Sequence, residues 1–421
     1  MIIKNYRELA TSPLREAALD IIEMGLGALQ SETIIREQVS VSGHTLRIMG
    51  REFDLSRYTR LFVIGVGKAA VGMGTAIENI LGERITGGYI LDRKRGHFDR
   101  LTGLVGTHPD PSEQNVVATR EMLEFLSGAD GKSLVLVLIS GGGSALLTAP
   151  HGITVAEKAA IARTLMNNGA TIHELNTVRK HLSDVKGGQL AKFAYPATVI
   201  SLILSDVPGN DVSTIASGPT VLDNSTVSQA ERIVKKYHAS PPPSWQETPK
   251  DPKYFERVTN IVLGTAASAF GPMDRQARAH GFTPRVLSDH VTGEANRVGR
   301  GMLKRVRRGE ALLAAGETTV KVRGTGHGGR NQQLVLASLP SLRDGQLILS
   351  VGTDGHDNTD HAGALGDEGT VSKSKEKKLD PKTYAARNDS YTFFTLTDDA
   401  IVTGELESNF ADLIVCLSKK S

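Results

Sequence analysis

The chain has 421 residues, 39% of them hydrophobic, and because this length exceeds what one core usually organises we expect two domains in a soluble globular protein. Its formal net charge of +3, without a basic run interleaved with aromatic residues, disfavours nucleic acid as a partner. One cysteine excludes a disulfide framework, and no apolar run has the length of a signal peptide or a membrane span, so we expect a cytoplasmic protein without a membrane partner.

Predicted strands and helices alternate along the first half of the chain, after an amphipathic helix predicted over 13–37. The strand-like apolar runs are 61–66, 87–92, 103–106, 134–140 and 198–205. The helical stretches between them lie near 69–81, 113–127, 154–166 and 171–183. This alternation predicts an α/β fold, with a Rossmann-like parallel sheet covered by helices on both faces.

A proline-rich segment interrupts the alternation and predicts a linker over 241–255, since proline continues neither a helix nor a central strand. A second α/β series follows, with strand-like runs at 260–264, 284–288, 311–316, 346–351 and 412–417. We therefore predict an N-terminal domain over 1–240 and a C-terminal α/β domain over 256–421. The helix at 13–37 is assigned either to the first domain or to packing on the second.

The glycine-rich segment after the first predicted strand allows two incompatible interpretations. Gly65, Gly67 and Ala70 have the spacing G-x-G-x-x-A of a dinucleotide-binding turn, and Asp92 ends the next strand, where a ribose partner would stand. Lys68 lies inside the same turn, where a phosphoryl-transfer enzyme would place a cation. This segment alone indicates either a reductase or a kinase.

A second glycine turn follows the buried run at 134–140. Three consecutive glycines allow several backbone N–H groups to converge on one anion, and two serines add hydroxyl donors. A tight strand-to-helix turn is the alternative, although one glycine would suffice for it. We predict that phosphate or substrate binds to Ser140, Gly141, Gly142, Gly143 and Ser144.

A third glycine-rich segment precedes the helix that Arg330 opens. A bidentate guanidinium and a helix N-terminus both favour phosphate or carboxylate, so we predict anion binding by Gly328, Gly329 and Arg330. A loop with a solvated arginine is the alternative.

Two aspartates that follow predicted strands are candidate magnesium ligands. Asp206 lies at the carboxyl end of a strand, where its carboxylate can hold Mg²⁺ or accept a proton from a substrate hydroxyl. Asp354 belongs to an acidic cluster whose spacing fails the calcium-loop pattern but suits Mg²⁺ in a nucleotide site. Turn formation by the aspartate side chain is the alternative for both residues.

A polar helix face is predicted within 173–188. Asn176, Arg179 and Lys180 are three and four residues apart and therefore share one side of the helix. Two cations and an amide suit a small carboxylate, and an ordinary solvated face is the alternative.

Together these segments resemble the glycerate 2-kinase family, two-domain enzymes whose C-terminal half is called the MOFRL domain. The matching segments occur in the family's order, at 65–70, 107–111, 140–145, 175–180, 205–210, 217–220, 328–332, 352–355 and 388–393. Two loops depart from the family pattern, at 355–361 and at 403–409, and leave the exact substrate open.

The resemblance implies ATP- and Mg²⁺-dependent phosphorylation of D-glycerate, or of a related small hydroxy acid, to a 2-phospho product in the cleft between the domains. It also implies that Lys68 and Arg330 are the catalytic cations, to which we add Asp206 as a base or metal ligand. An NAD(P)H-dependent hydroxypyruvate reductase is the main alternative, and a non-enzymatic binding module is a third. The sequence leaves the oligomeric state open, with a homodimer as one alternative.

Overall fold

The computed structural model describes residues 1–408 and 410–420 and divides the chain into two compact α/β units. We call Ser31–Leu263 the central unit, and Met1–Gln30 together with Gly264–Ser421 the terminal unit. The predicted fold class, two α/β domains of which the first is Rossmann-like, is confirmed. The units divide at Gly264, however, and not within the predicted linker.

The elements are numbered in chain order. The helices are α1 (Tyr6–Leu9), α2 (Pro13–Ala28), α3 (Ser31–Gln38), α4 (Ala70–Leu81), α5 (Glu113–Leu126), α6 (Gly143–Leu146), α7 (Val155–Asn167), α8 (Ile172–His181), α9 (Gln189–Ala194), α10 (Val227–Lys236), α11 (Phe270–Ala279), α12 (Ala295–Arg305), α13 (Arg330–Ser338), α14 (Glu368–Glu376), α15 (Pro381–Ala386) and α16 (Ser390–Thr397). The strands are β1 (Val39–Ser42), β2 (Thr45–Ile48), β3 (Arg51–Asp54), β4 (Arg60–Val66), β5 (Gly87–Asp92), β6 (Thr102–Val105), β7 (Ser133–Ile139), β8 (Thr198–Leu204), β9 (Val258–Gly264), β10 (Thr283–Glu294), β11 (Glu310–Thr319), β12 (Gln346–Val351), β13 (Gly363–Gly366), β14 (Ala400–Ile401) and β15 (Asp412–Ser418).

The central unit is built on a six-stranded sheet in the order β6-β5-β4-β7-β8-β9. The strand β4 pairs in parallel with β5 and β7, and β6 and β8 extend the sheet in parallel on either side. The order reverses between β4 and β7, as in Rossmann-like folds, and ligands of such sheets bind beyond the carboxyl ends of the strands at this point. The topology therefore directs attention to the turns that follow β4 and β7.

The two strands at this reversal are the most buried part of the central unit. All of β7 and every residue of β4 after Arg60 are buried, as expected for parallel strands covered on both faces. Met122 and Leu126 of α5 belong to the hydrophobic cluster formed with these strands. The helix α4 approaches β5 closely, since a Cβ on Gly74 would lie 3.0 Å from the Ile90 side chain. Tight packing thus fixes where both turns begin.

Three features of the fold differ from the sequence prediction. The helix predicted over 13–37 is two helices, α2 and α3, which belong to different units. The strands β1, β2 and β3, which the sequence analysis did not identify, form an antiparallel sheet of their own. The run at 260–264, expected in the second domain, lies in β9 and is the sixth strand of the central sheet. An apolar run shows that a strand is buried but not in which sheet, because its partners are distant in sequence.

The proline-rich segment packs on the central unit. The N–H of Gln246 donates to the carbonyl of His181 at 2.9 Å, and Glu247 Oε1 lies 3.0 Å from His181 Nε2. Gln189 Nε2 donates to the carbonyl of Glu247 at 3.1 Å. These bonds fasten the segment to α8 and α9, so its prolines mark a surface path and not the place where the units divide.

The terminal unit contains a mixed six-stranded sheet in the order β10-β11-β15-β12-β13-β14. The pair β10–β11 is parallel, and the other neighbouring pairs are antiparallel. The helix α2 packs on this unit so closely that a Cβ on Gly25 would lie 2.8 Å from Met273 and 2.9 Å from Leu413. Within the described part of the chain, no helix combines the length and the apolar character needed to cross a bilayer.

Candidate active site

The turn after β4 packs directly against the turn after β7. Gly67 has a φ of +129°, and a Cβ there would lie 2.1 Å from Ser140 Oγ, so no other residue fits. The N–H of Lys68 donates to the carbonyl of Gly141 at 2.9 Å, and that of Ala69 donates to Ser140 Oγ at 3.1 Å. The glycine of the first turn is therefore required by contact between two parts of the protein.

The N–H groups of the first turn are all used inside the protein. Gly67 donates to the carbonyl of Leu91 at 3.2 Å, and Ala70 donates to the carbonyl of Gly67 at 3.2 Å. The N–H of Val71, in the first turn of α4, donates to the Asp92 carboxylate at 3.1 Å. With the two bonds above, every N–H from 67 to 71 has an acceptor, and none remains for a pyrophosphate.

The position of Asp92 removes the structural basis of the dinucleotide interpretation. Its carboxylate also accepts from the N–H of Arg93 at 2.6 Å, so both oxygens bind backbone instead of facing a ribose. Burial raises the pKa of the Asp92 carboxyl, and the bonds from Val71 and Arg93 oppose that shift. An internal carboxylate therefore occupies the end of α4 where a dinucleotide fold would bind its anionic ligand.

In the turn after β7, by contrast, several backbone N–H groups are not used inside the part of the protein that the structure describes. The N–H of Gly143 donates to the carbonyl of Ser140 at 3.2 Å, and Gly142 has a φ of +81°. The N–H groups of Gly141, Gly142 and Ser144 donate to no acceptor among the described residues. Three free donors within four residues are typical of phosphate-binding turns, and anion binding at this turn stays a prediction. We call the turn 140–144 the anion turn.

Lys68 and His108 lie beside the anion turn. A Cβ on Gly142 would lie 2.8 Å from Lys68 Cγ and 3.1 Å from His108 Cδ2. Burial lowers the pKa of His108 to about 4, and the neighbouring charges of Lys68 and Arg93 add to the shift. His108 is therefore neutral near pH 7. It lies in the family motif at 107–111, although it is not among the site residues predicted from the sequence.

Asp206 lies at the same edge of the central sheet as the anion turn. The register pairs Val66 with Ile139 and Ile139 with Ile203, so the chain leaves β4, β7 and β8 at one level. Asp206 follows β8 by two residues and is half-buried. A carboxylate in this place suits either predicted role.

The oxygen ligands that the protein offers suit Mg²⁺ only if the substrate supplies most of the ligands of the ion. Among the described residues no group of three His, Cys, Asp or Glu side chains is arranged to hold a metal ion. Asp354, in the terminal unit, accepts a hydrogen bond from the N–H of His356 at 3.1 Å, as its turn alternative expects. Kinase sites commonly hold Mg²⁺ through one or two carboxylates plus substrate phosphates, and Asp206 as such a carboxylate stays a prediction.

The three residues of the predicted polar face on α8 differ in their partners. Asn176 reaches the anion turn through Ser217, whose Oγ lies 3.4 Å from Asn176 Oδ1 and 3.4 Å from Ser144 Oγ. Lys180 donates to Asp223 Oδ1 at 2.9 Å in a buried ion pair, so its charge is already balanced. Arg179 has no hydrogen bond or ion pair with any described residue. Of the two cations Lys180 and Arg179, only Arg179 therefore has a charged group that is available to a ligand in the described structure.

Arg330 lies in the terminal unit and is held by two carboxylates. Its Nε and Nη2 form a bidentate pair with Asp412, in which the Nη2–Oδ1 distance is 3.0 Å. Its Nη1 donates to Glu317 Oε2 at 3.2 Å. Burial raises the pKa of Asp412 to about 7, against the opposing effect of the guanidinium. The residue predicted as a solvated or catalytic arginine is therefore oriented by a buried partner.

The N-terminus of α13 is partly occupied by an internal carboxylate. Asp357 accepts from the N–H of Asn331 at 3.0 Å and from that of Gln332 at 2.8 Å. The preceding N–H groups, of Gly328 and Gly329, donate to no described acceptor. An incoming anion would bind these glycines instead of the helix end. Because they belong to the terminal unit, a site shared with Lys68 stays a prediction.

Comparison with known proteins identifies the relatives of this architecture. The family described as a domain of unknown function (DUF4147) matches residues 17–248, and the MOFRL family matches residues 310–412. The D-glycerate 2-kinase of Thermotoga maritima is 33% identical over 96% of this chain and 98% of its own. A putative hydroxypyruvate reductase of Agrobacterium vitis is 36% identical over 84% of this chain and 98% of its own. The crystal structure of glycerate kinase from Thermotoga maritima has a TM-score of 0.86 at 32% identity, covering 96% of this chain and 99% of that chain.

Proposed function

The chain belongs to the glycerate 2-kinase family, and from this premise we propose that it transfers the γ-phosphoryl group of ATP to the 2-hydroxyl of D-glycerate. It is a phosphotransferase with an alcohol group as acceptor. The observation that carries the activity is the match to glycerate kinases over almost the whole chain. The roles of individual residues rest on the geometry of the anion turn and its neighbours.

The anion turn binds a phosphoryl group through its backbone. The free N–H groups of Gly141, Gly142 and Ser144 are fixed by the contact between the two turns and need no rearrangement to meet a charged oxygen. Lys68, beside Gly142, neutralises the charge that spreads over the transferring group. Preorganised donors of this kind are effective because they are already oriented before the reaction begins.

Asp206 acts on the acceptor side of the transfer. Its carboxylate, at the same sheet edge, accepts the proton of the substrate hydroxyl or holds Mg²⁺ together with substrate phosphates. An ion held there by Asp206 would neutralise part of the negative charge on the phosphates of ATP. His108 is neutral near pH 7, because its pKa is lowered to about 4, and therefore adds no positive charge beside Lys68.

Arg330 provides a second phosphate contact, from the terminal unit. Asp412 holds one edge of the guanidinium through Nε and Nη2, which leaves Nη1 directed at the half-exposed Glu317. A phosphate oxygen that displaces Glu317 would accept hydrogen bonds from Nη1 of Arg330 and from the free N–H groups of Gly328 and Gly329.

The alternative, a hydroxypyruvate reductase, is motivated by the glycine spacing and by the description of the Agrobacterium vitis relative. Two contacts weigh against it. The N–H of Val71 is bound to Asp92, and Gly67 is required by Ser140. The residues of the apparent dinucleotide motif are thus explained by contacts within the protein.

The test is ADP release by the purified protein with D-glycerate, ATP and Mg²⁺, with enolase coupling to separate the 2-phospho from the 3-phospho product. Lys68→Met should lower kcat by about a hundredfold or more, as expected when one transition-state donor is lost. Lys235→Met, which alters an exposed lysine of α10 in the same unit, is the matched control. Oxidation of NADH with hydroxypyruvate in the absence of ATP would instead establish the reductase.

A further inference from the structure

A lysine lies on the buried face of α7, where the helical pattern calls for an apolar residue. Lys158 shares this face with Val155, Ile161 and Leu165, all of them buried. Its side chain is 8% exposed, and its Nζ has no hydrogen-bond partner among the described residues. An enclosed ammonium group without a partner is unfavourable and is rarely found unless a ligand provides the missing charge.

Two more cations lie close to Lys158. The Arg179 guanidinium of α8, which has no partner in the described structure, repels the Lys158 ammonium. Both of them repel the ammonium of Lys186. Lys186 is 1% exposed and donates to the carbonyls of Ser144 at 2.8 Å and Ala216 at 3.4 Å. Lys186 therefore lies against the last residue of the anion turn, and the basic side chains of Lys158 and Arg179 are close enough to act on it.

Acidic residues do not balance this cluster. Asp184 is the carboxylate that attracts Lys158, but its Oδ1 is held by His151 Nδ1 at 2.7 Å. Burial, and then the Arg179 charge, lower the pKa of Lys158 to about 7, and Asp184 offsets only part of this effect. Burial likewise lowers the pKa of Lys186 well below its ordinary value, with Lys158 and Arg179 adding to the shift. The protein thus encloses two amino groups near the anion turn, beside Arg179, without an acidic side chain among the described residues that balances them.

We propose that Lys158 and Arg179 bind the carboxylate of the acceptor hydroxy acid, with Lys186 adding positive potential from behind the anion turn. This assignment rests on the proposed kinase function and names the part of the substrate that the central unit recognises. It adds Lys158 and Lys186 to the site.

The enclosure of Lys158 favours a carboxylate over a phosphate of ATP. Its Nζ is enclosed by the protein, so a group that binds to it must need little room. The carboxylate of a three-carbon acid satisfies this condition, whereas the phosphates of ATP are better served by the free N–H groups of the anion turn. The cluster would therefore select hydroxy acids against neutral polyols.

The experiment compares Lys158→Met with the wild-type protein in steady-state kinetics. The variant should raise KM for D-glycerate by about tenfold to a hundredfold, the effect expected for loss of a charged hydrogen bond, and leave KM for ATP nearly unchanged. Arg179→Gln should act in the same direction, and Lys235→Met should not. Equal KM values for D-glycerate in Lys158→Met and wild type would overturn the proposal.

The pH dependence separates this role from a structural one. Since the folded pKa of Lys158 is about 7 against an ordinary value of 10.5, its unfavourable burial is fully present below pH 7 and disappears above the ordinary pKa. Lys158→Met should therefore raise the midpoint of thermal unfolding at about pH 6 more than at about pH 9. In wild type, KM for D-glycerate should rise above pH 7 as Lys158 loses its proton, and this rise should be absent in the variant. A lower unfolding midpoint at pH 6 would show a structural role and overturn the proposal.

A binding measurement keeps the carboxylate site separate from the kinase activity. D-glycerate alone should raise the unfolding midpoint of wild type but not that of Lys158→Met, and this comparison remains decisive if wild type proves to phosphorylate no glycerate. Inorganic phosphate serves as the second ligand. If phosphate raises the midpoint through Lys158 and D-glycerate does not, the cluster binds phosphoryl groups and the carboxylate assignment is wrong.

Discussion

The position of Lys68 is determined by glycines on two neighbouring turns. Gly67 brings the first turn against Ser140, and Gly142 leaves room for the Lys68 side chain, whose Cγ would lie 2.8 Å from a Cβ at that position. Both glycines have positive φ values, +129° and +81°. The cation and the free N–H groups of the anion turn are consequently positioned by one packing arrangement.

Gly67→Ala should disrupt this arrangement. The new Cβ would meet Ser140 Oγ at 2.1 Å in a backbone conformation that alanine rarely adopts, so we expect a loss of about 1–3 kcal/mol of stability and a large fall in kcat. Gly82→Ala is the control, because Gly82 has a φ of +50° with no atom within 4 Å of its Cβ. It should lose about 1–2 kcal/mol of stability from conformation alone and retain kcat. Thermal unfolding and ADP release measure both effects, and a wild-type kcat in Gly67→Ala would contradict the role of the turn.

The sequence indicates which residues are candidates for the site but not which contacts they make. Glycine spacing indicated both turns, but only the fold reveals that Asp92 and Ser140 use the N–H groups of the first and leave those of the second free. These partners come from other strands, and local spacing carries no information about them. The sequence does contain an indication of Lys158, because this lysine interrupts the apolar stripe of a predicted helix. Its relation to Arg179 is visible only in the structure.

At the scale of elements, burial decided what the sequence could predict. The strands β4, β7 and β8 are continuous apolar runs because helices cover both faces of the sheet, and such runs are easily identified. The strands β1 and β3 are short and mostly exposed or half-buried, so they have no comparable pattern. The partner of β9 depends on the path of the proline-rich segment, which local sequence does not specify.

Asp357 links the loop after β12 to the helix that carries Arg330. Asp357→Ala removes the acceptor of two N–H groups at the start of α13, so we expect a loss of about 1–3 kcal/mol and a displaced Arg330. Thermal unfolding should show a lower midpoint, and kcat should fall. Asp344→Ala, at an exposed position of the same unit, should change neither. An unchanged midpoint in Asp357→Ala would mean that solvent replaces this cap without loss.

At the scale of the whole molecule, the terminal unit is assembled from the two ends of the chain. Residues Met1–Gln30 belong to it, although the central unit separates them in sequence from Gly264–Ser421. Arg15 of α2 fastens the first segment to the second. Its Nη2 lies 2.6 Å from Asp367 Oδ1 and its Nη1 2.8 Å from Asp399 Oδ1, with the guanidinium 2% exposed.

Arg15→Met should therefore destabilise the terminal unit selectively. Among the described residues, loss of the guanidinium leaves Asp367 with hydrogen bonds from Thr370 but no cationic partner, and Asp399 with Lys373 as its only cation, and breaking a buried pair of this kind costs about 3–5 kcal/mol. Hydrogen exchange on the full chain should accelerate in β11, β12 and β15 and remain slow in β4, β7 and β8, because the central unit has its own core. The control Arg36→Met removes an exposed pair with Glu32, which contributes less than about 1 kcal/mol, and should leave both sheets protected. Faster exchange in both sheets of Arg15→Met would instead show that the two units unfold together, and the terminal unit would then have no stability of its own for Arg15 to control.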